Sequence, residues 1–229
     1  MIIPVELVKA EFIKRLNRFA ALVLLDGKEE LIHVANSGRL RELFLPGRSV
    51  LLYPRHGVHR KTSYDLAMVN LDGLLVSADA RLPNVLVYEA LLSSSLPQFI
   101  DYSTVDREAT FGESRLDLAL QNEGQRCLIE VKSITLVVEG RGLFPDAPTI
   151  RGRKHLRSLI LAREKGYKAA VIFVIQREDA YSFSPHDEAD PDFGATLRES
   201  AERGVEVYAY RCKVSPHEIV LADEVPVLL

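Results

Sequence analysis

The sequence predicts a mixed α+β chain in two parts: a small β-barrel over residues 1–80, then an α/β domain with a mixed central sheet over residues 81–229. Three observations predict it. The first part is a series of short β-rich runs broken by Asp-Gly and Pro-Gly pairs. In the second part helical patterns alternate with continuous apolar runs, the signature of a sheet covered on both faces. The hydrophobic fraction, 47% of 229 residues, is enough for one or two real cores.

The elements of the first part follow in order. Phe19 to Leu25 reads as a strand ending at the hairpin signal Asp26-Gly27, and Leu31 to Val34 resumes it. Asn36-Ser37-Gly38 breaks the pattern, and a short amphipathic piece, Leu40 to Leu45, stops at Pro46-Gly47. Ser49 to Tyr53 and Tyr64 to Leu71 are further strands, and Asp72-Gly73 turns the chain into Leu74 to Ser77. Strands this short and this numerous match the five-stranded oligonucleotide-binding barrel in size, with an SH3-like barrel as the other choice. The boundary is expected between Ser77 and Leu82.

In the second part Pro83 and Pro97 bracket a helix. Ser103 to Glu108, Leu116 to Gln121 and Arg126 to Val131 read as strands, followed by a Gly- and Pro-rich loop from Gly140 to Pro148. Arg151 to Lys165 is helical, with Leu156, Leu159 and Ile160 as its apolar stripe and Gly166 as its cap. Ala169 to Ile175 and Val205 to Tyr210 are buried strands separated by a helix over Phe193 to Arg203.

The net charge of −3 and pI of about 6.1 speak mildly against a polyanionic partner, but the charge is uneven. Residues 1–80 carry a balance of +2 and residues 81–229 one of −5, yet residues 151–168 hold seven basic side chains against the single acid Glu164. Screening confines each charge to its neighbourhood, so such a patch can grip phosphates in an acidic chain. No run is long enough to span a bilayer and the N-terminus lacks the pattern of a signal peptide, so a cytoplasmic protein with no membrane partner is expected. Cys127 and Cys212 lie in strand-like contexts and are expected as buried thiols. The histidines and cysteines are too scattered for a zinc site, and no glycine-rich loop precedes a Lys-Ser/Thr, which excludes P-loop nucleotide hydrolysis.

The chemistry concentrates where two strands meet. If Glu123-Gly124 closes the turn between them, Asn122 pairs with Gln125, Leu120 with Cys127 and Leu118 with Ile129. The same count sets Asp117 across from Glu130, with Lys132 two residues further on the same face. A one-residue slip would mix apolar and polar faces. Opposed carboxylates repel, and a divalent cation such as Mg²⁺ or Mn²⁺ removes that cost. Lys132 beside it would orient water or stabilise charge on a phosphate. Glu89 on the preceding helix is a candidate third metal ligand. A bare Glu-x-Lys is more often a solvated strand face; the opposed Asp117 is what raises it above that reading.

This helix, Asp117 and Ile129-Glu130-Val131-Lys132 resemble the P-D-(D/E)-x-K nuclease superfamily, with Leu116-Asp117 in the place of the Pro-Asp pair. More specifically, Phe144-Pro145-Asp146-Ala147, the run Arg151 to Leu156, Asn17-Arg18-Phe19 and the run His33 to Leu40 resemble the sugar fermentation stimulation protein A family. The resemblance spans the chain. It implies an oligonucleotide-binding barrel joined to a nuclease-like α/β domain, and a DNA-binding protein linked to regulation of sugar metabolism. Arg153 departs from it, standing where the family usually has Gln. For DNA contact the candidates are Arg153, Lys154, His155 and Arg157 on one helix, and Arg15, Arg18 and Arg39 in the barrel. Phe19 is expected to pack inward. The expected function is a DNA-binding protein with a Mg²⁺- or Mn²⁺-dependent DNA phosphodiesterase site at Asp117, Glu130 and Lys132. The alternative is a non-catalytic DNA-binding regulator that retains only the fold.

Overall fold

A computed structural model describes residues 1–57 and 59–229. Strands β1 (Val8–Asn17), β2 (Ala20–Leu25), β3 (Lys28–His33), β4 (Ser49–Pro54), β5 (Tyr64–Leu71) and β6 (Leu74–Ser77) form the first sheet in the order β3-β2-β1-β4-β5-β6. A parallel pairing of β3 with β5 at His33 and Asp65 closes five of them into a barrel. The Asp26-Gly27 and Asp72-Gly73 turns both have positive φ at each residue, as two-residue hairpins require. The sequence reading overlooked β1: Lys9, Glu11, Lys14 and Arg15 crowd it with charge, yet Ala10 and Phe12 alternate into the barrel core with Val23, Ile32, Val50 and Leu66.

Helix α1 (Leu82–Leu92) follows, then β7 (Thr104–Phe111), β8 (Ser114–Asn122), β9 (Gln125–Ile134), β10 (Val137–Val138) and β11 (Arg141–Phe144). Helix α2 (Ile150–Glu164), β12 (Lys168–Ile175), β13 (Ser182–Pro185), helix α3 (Pro191–Glu202), β14 (Glu206–Val214) and β15 (Ile219–Glu224) complete the chain. The main sheet runs β15-β14-β12-β9-β8-β7. Its centre is parallel, β9 and β14 flanking β12, and its margins are antiparallel, which makes it the mixed sheet expected. The expected loop from Gly140 to Pro148 instead contains β11, which pairs with β10 and, in parallel, with β13. Its glycine serves close approach there, for a Cβ on Gly142 would meet Ile175 Cδ1 at 2.7 Å.

The sheet buries two faces. Leu156 and Leu159 of α2 and Phe193 and Leu197 of α3 pack on Leu128, Val171 and Phe173. On the other face Leu118, Ile129 and Ile172 meet Leu86 and Val87 of α1 and also Tyr53, Ala67 and Met68 of the barrel. The barrel's outer wall is therefore part of the α/β core. Hydrogen bonds join the parts as well: Ser77 Oγ donates to Gln176 Oε1 at 2.8 Å, and the Asp146 carboxylate accepts the Arg39 backbone N–H at 2.5 Å. Among the described residues no helix is long and apolar enough to cross a membrane.

Candidate metal and nucleic-acid site

The β8–β9 hairpin has the register its alternation predicts, with Asn122 on Gln125, Leu120 on Cys127 and Leu118 on Ile129. The ladder ends there. One step further Asp117 does not continue it as a regular cross-strand pair; its Oδ2 accepts the Val131 N–H at 2.8 Å in place of a main-chain acceptor. Its Oδ1 accepts from Asn84 Nδ2 of α1 at 2.7 Å. Asp117 is thus aimed from both sides, near Glu130, where the β8–β9 ladder stops.

Glu130 is buried on the α2 side of β9. Its Oε1 receives Lys132 Nζ and also meets His155 Nδ1. Its Oε2 is buried without a hydrogen-bond partner among the described residues. Burial pushes both carboxyls up, but the outcomes differ. For Asp117 desolvation dominates, the negative charge of Glu130 adds to it, and the carboxyl rises above the ordinary range. For Glu130 desolvation is outweighed by the Lys132 ammonium and the His155 hydrogen bond, which hold it below the ordinary range. The two neighbouring carboxyls are thus shifted in opposite directions.

Several expected contributors lie elsewhere. Glu89 is not brought to the pair: its half-exposed carboxylate sits 3.3 Å from the Met1 amine. Five residues along α1 from Asn84 it has turned about 140° around the helix, so it cannot share the face that reaches Asp117. Asn84 holds that place, and sequence reading passed it over because an amide on a helix carries no distinctive pattern. His155 is not a phosphate-contacting surface residue; it is buried against Glu130. The signal was available, since His155 shares the helical phase of Leu159 and Gly152 rather than that of Lys154. Gly152 is required by close packing, a Cβ there meeting Thr149 Cγ2 at 2.8 Å and Phe193 Cε2 at 3.2 Å.

Arg153 is also engaged internally, reaching Asp190 Oδ1 at 3.3 Å and Asp192, and so ties α2 to the start of α3. Lys154 and Arg157 remain exposed on α2. In the barrel, Arg15 is a structural staple. Its guanidinium donates to the carbonyls of Asn17, Arg18, Asn36, Gly38 and Arg39 at 2.5–3.1 Å, leaving nothing for DNA. Arg18 and Arg39 are exposed, as is Arg41, which the sequence reading did not single out. Phe19 does not pack inward. It lies in the β1–β2 turn, 51% exposed, because the inward positions of β2 are Ala21 and Val23.

Comparison with known proteins places this architecture. The profile for the sugar fermentation stimulation protein RE domain matches residues 81–218, and that for the SfsA N-terminal OB domain matches residues 13–78. The chain belongs to the sugar fermentation stimulation protein family. A sugar fermentation stimulation protein homolog from Clostridium kluyveri is 47% identical over 230 residues, covering 100% of both chains. One from Caldanaerobacter subterraneus subsp. tengcongensis is 47% identical over 229 residues, again covering 100% of both. Among solved structures, that of Pyrococcus furiosus SfsA in complex with Ca²⁺ superposes with a TM-score of 0.92 at 29% identity, over 100% of this chain and 98% of that one. The N-terminal closed barrel of the oligonucleotide-binding type and the mixed-sheet α/β domain are thereby those of the SfsA fold.

Proposed function

We propose that this SfsA-family chain is a DNA-binding protein whose β8–β9 hairpin end is a divalent-metal-dependent phosphodiesterase site. The observation that carries the reading is Glu130 Oε2, a carboxylate oxygen buried without a partner among the described residues and near a second buried carboxylate, Asp117. Such an atom is costly unless a cation meets it. Among the described residues no set of three His, Cys, Asp or Glu side chains is arranged to hold a metal, and the reading takes Asp117 and Glu130 as its two protein donors. Two carboxylates suit Mg²⁺ or Mn²⁺, which commonly complete their shells with phosphate oxygens and water. Ca²⁺ in the P. furiosus relative belongs to the same oxygen-seeking class and supports the reading.

When bound, the cation would neutralise phosphate charge and make its water more acidic. The chain's own residues do the rest. Asn84 and the Val131 N–H fix Asp117; His155 fixes Glu130 through Oε1 and leaves Oε2 directed away from that contact. Lys132, only 12% exposed at its side chain and held on Glu130, would stand beside a phosphate bound at the site and stabilise charge developing on it. The test is Lys132→Ala assayed on labelled DNA with Mg²⁺. The variant is expected to retain binding and lose cleavage by about 10²–10³-fold, the effect of removing one preorganised charge donor. A parent protein that binds DNA and cation yet cleaves nothing would leave the alternative, a DNA-binding regulator that retains only the fold.

A further inference from the structure

Between the barrel and the α/β domain lies a cleft of about 520 Å³ lined by Arg18, Arg39 and Arg41, with Leu16 and Pro148 as apolar walls. Among the described residues no carboxylate lines it, and the fourth arginine there, Arg15, is consumed by backbone carbonyls. Phe19, next to Arg18 in the chain, presents a half-exposed ring that stacks on His33 with centroids 6.5 Å apart and planes 23° from parallel. A second cleft of about 360 Å³ shares Arg18, Ser37 and Pro148 with the first and runs on to Ser133 and Thr149. Ser133 directly follows Lys132, and Thr149 caps α2, the helix that carries His155. The two clefts make one path from the arginines to β9, the strand that carries Lys132, with Asp146 as the carboxylate along its second part.

We infer that this path takes single-stranded DNA, an unpaired base stacking on Phe19 while Arg18, Arg39 and Arg41 hold the phosphates of the strand leading to the β8–β9 hairpin. A duplex covers the faces of its bases and offers none to an aromatic ring, whereas every unpaired base has a free face. Charge alone would serve either form; the exposed Phe19–His33 stack is what selects the single strand. The inference rests on the DNA-binding reading proposed above and names the substrate class of that site.

The experiment is fluorescence anisotropy in EDTA, where no metal-dependent cleavage intervenes, with a labelled deoxyoligomer of about a dozen nucleotides, its duplex and the matching ribo-oligomer. The parent is expected to prefer the single strand. Phe19→Ala should weaken that complex by about 5- to 150-fold and leave duplex affinity unchanged, while Phe19→Tyr, which keeps the ring, should bind like the parent. With three phosphates held, log affinity should fall with log salt at a slope of about −2, and the double variant R39A/R41A should bring it to about −0.7. Equal or tighter duplex binding, indifference to Phe19→Ala, or a Phe19→Tyr variant as weak as Phe19→Ala would overturn the inference and leave the DNA reading standing. A tighter ribo-oligomer complex would overturn the choice of DNA. Binding to none of the three would remove the DNA reading itself.

Discussion

Glu130→Ala is the most informative single change, because the structure sets two opposing effects against each other. In metal-free protein the carboxylate anchors the Lys132 ammonium and His155, whose side chains are only 12% and 8% exposed. Removing one member of a buried ion pair costs about 3–5 kcal/mol, since the remaining charge is left without compensation. Relief of the repulsion felt by Asp117 offsets part of this, which places the loss near the lower end, about 3 kcal/mol. For a chain of this size that lowers Tm by about 6–12 °C. Saturating Mg²⁺ acts in the other direction. At a hundredfold excess over Kd it stabilises a native-state site by about 2.7 kcal/mol, or about 5–11 °C. The assay is thermal unfolding in EDTA and across a Mg²⁺ titration, for the parent, Glu130→Ala and the gentler Glu130→Gln. The parent should gain stability and neither variant should. A Glu130→Ala protein that gains as much as the parent would put the cation elsewhere. One more stable than the parent in EDTA would refute the ion-pair argument.

Asp117→Asn should behave oppositely. Because the folded-state carboxyl is raised, its ionisation costs native stability as pH rises out of the ordinary carboxylate range, about pH 4, through the raised value. The variant should be the more stable one in EDTA at neutral pH, and the difference should close on acidification; a gap independent of pH would contradict this. Arg153→Ala should lower stability by about 2 kcal/mol through its lost contacts to Asp190 and Asp192, while Arg157→Ala should not, as paired thermal melts will show. A fragment of residues 81–229 should fail to give a cooperative melt, because Tyr53, Ala67 and Met68 of the barrel complete its core beside α1. A sharp transition in circular dichroism would show that this face closes without them.

Much of the architecture was legible because it rests on local pattern. The Glu123-Gly124 turn and the two-residue alternation of Leu118, Leu120, Cys127 and Ile129 determine the register from Asn122–Gln125 to Leu118–Ile129, and Asp117 leaves that ladder one step further on. Pro and Gly punctuation marked α1 and α2, and continuous apolar runs marked β12 and β14. What escaped depends on distance in space. Nothing near Arg15 in sequence announces that the carbonyls of Asn36 and Gly38 will surround it. A five-residue run of Arg, Gly, Lys and His reads as one solvated face until helical phase divides it, turning Arg153 toward α3, His155 toward Glu130 and Lys154 toward solvent. β1 was masked by its charges and Phe19 by its nearness to a strand it does not join.

The meeting of Asp146 with the barrel has a consequence for how such chains diverge. The carboxylate that accepts the Arg39 and Leu40 N–H groups stands where a side chain on residue 38 would project, 2.7 Å from the position of its Cβ. Gly38 and Asp146 are therefore a matched lock, 108 positions apart in the chain. A hybrid that joins this barrel to a relative's α/β domain keeps this contact when the incoming loop carries an acid of the same length opposite the glycine. Recombination between the two halves is filtered by that fit as well as by the shared core and the Ser77–Gln176 contact, however well each half folds with its own partner.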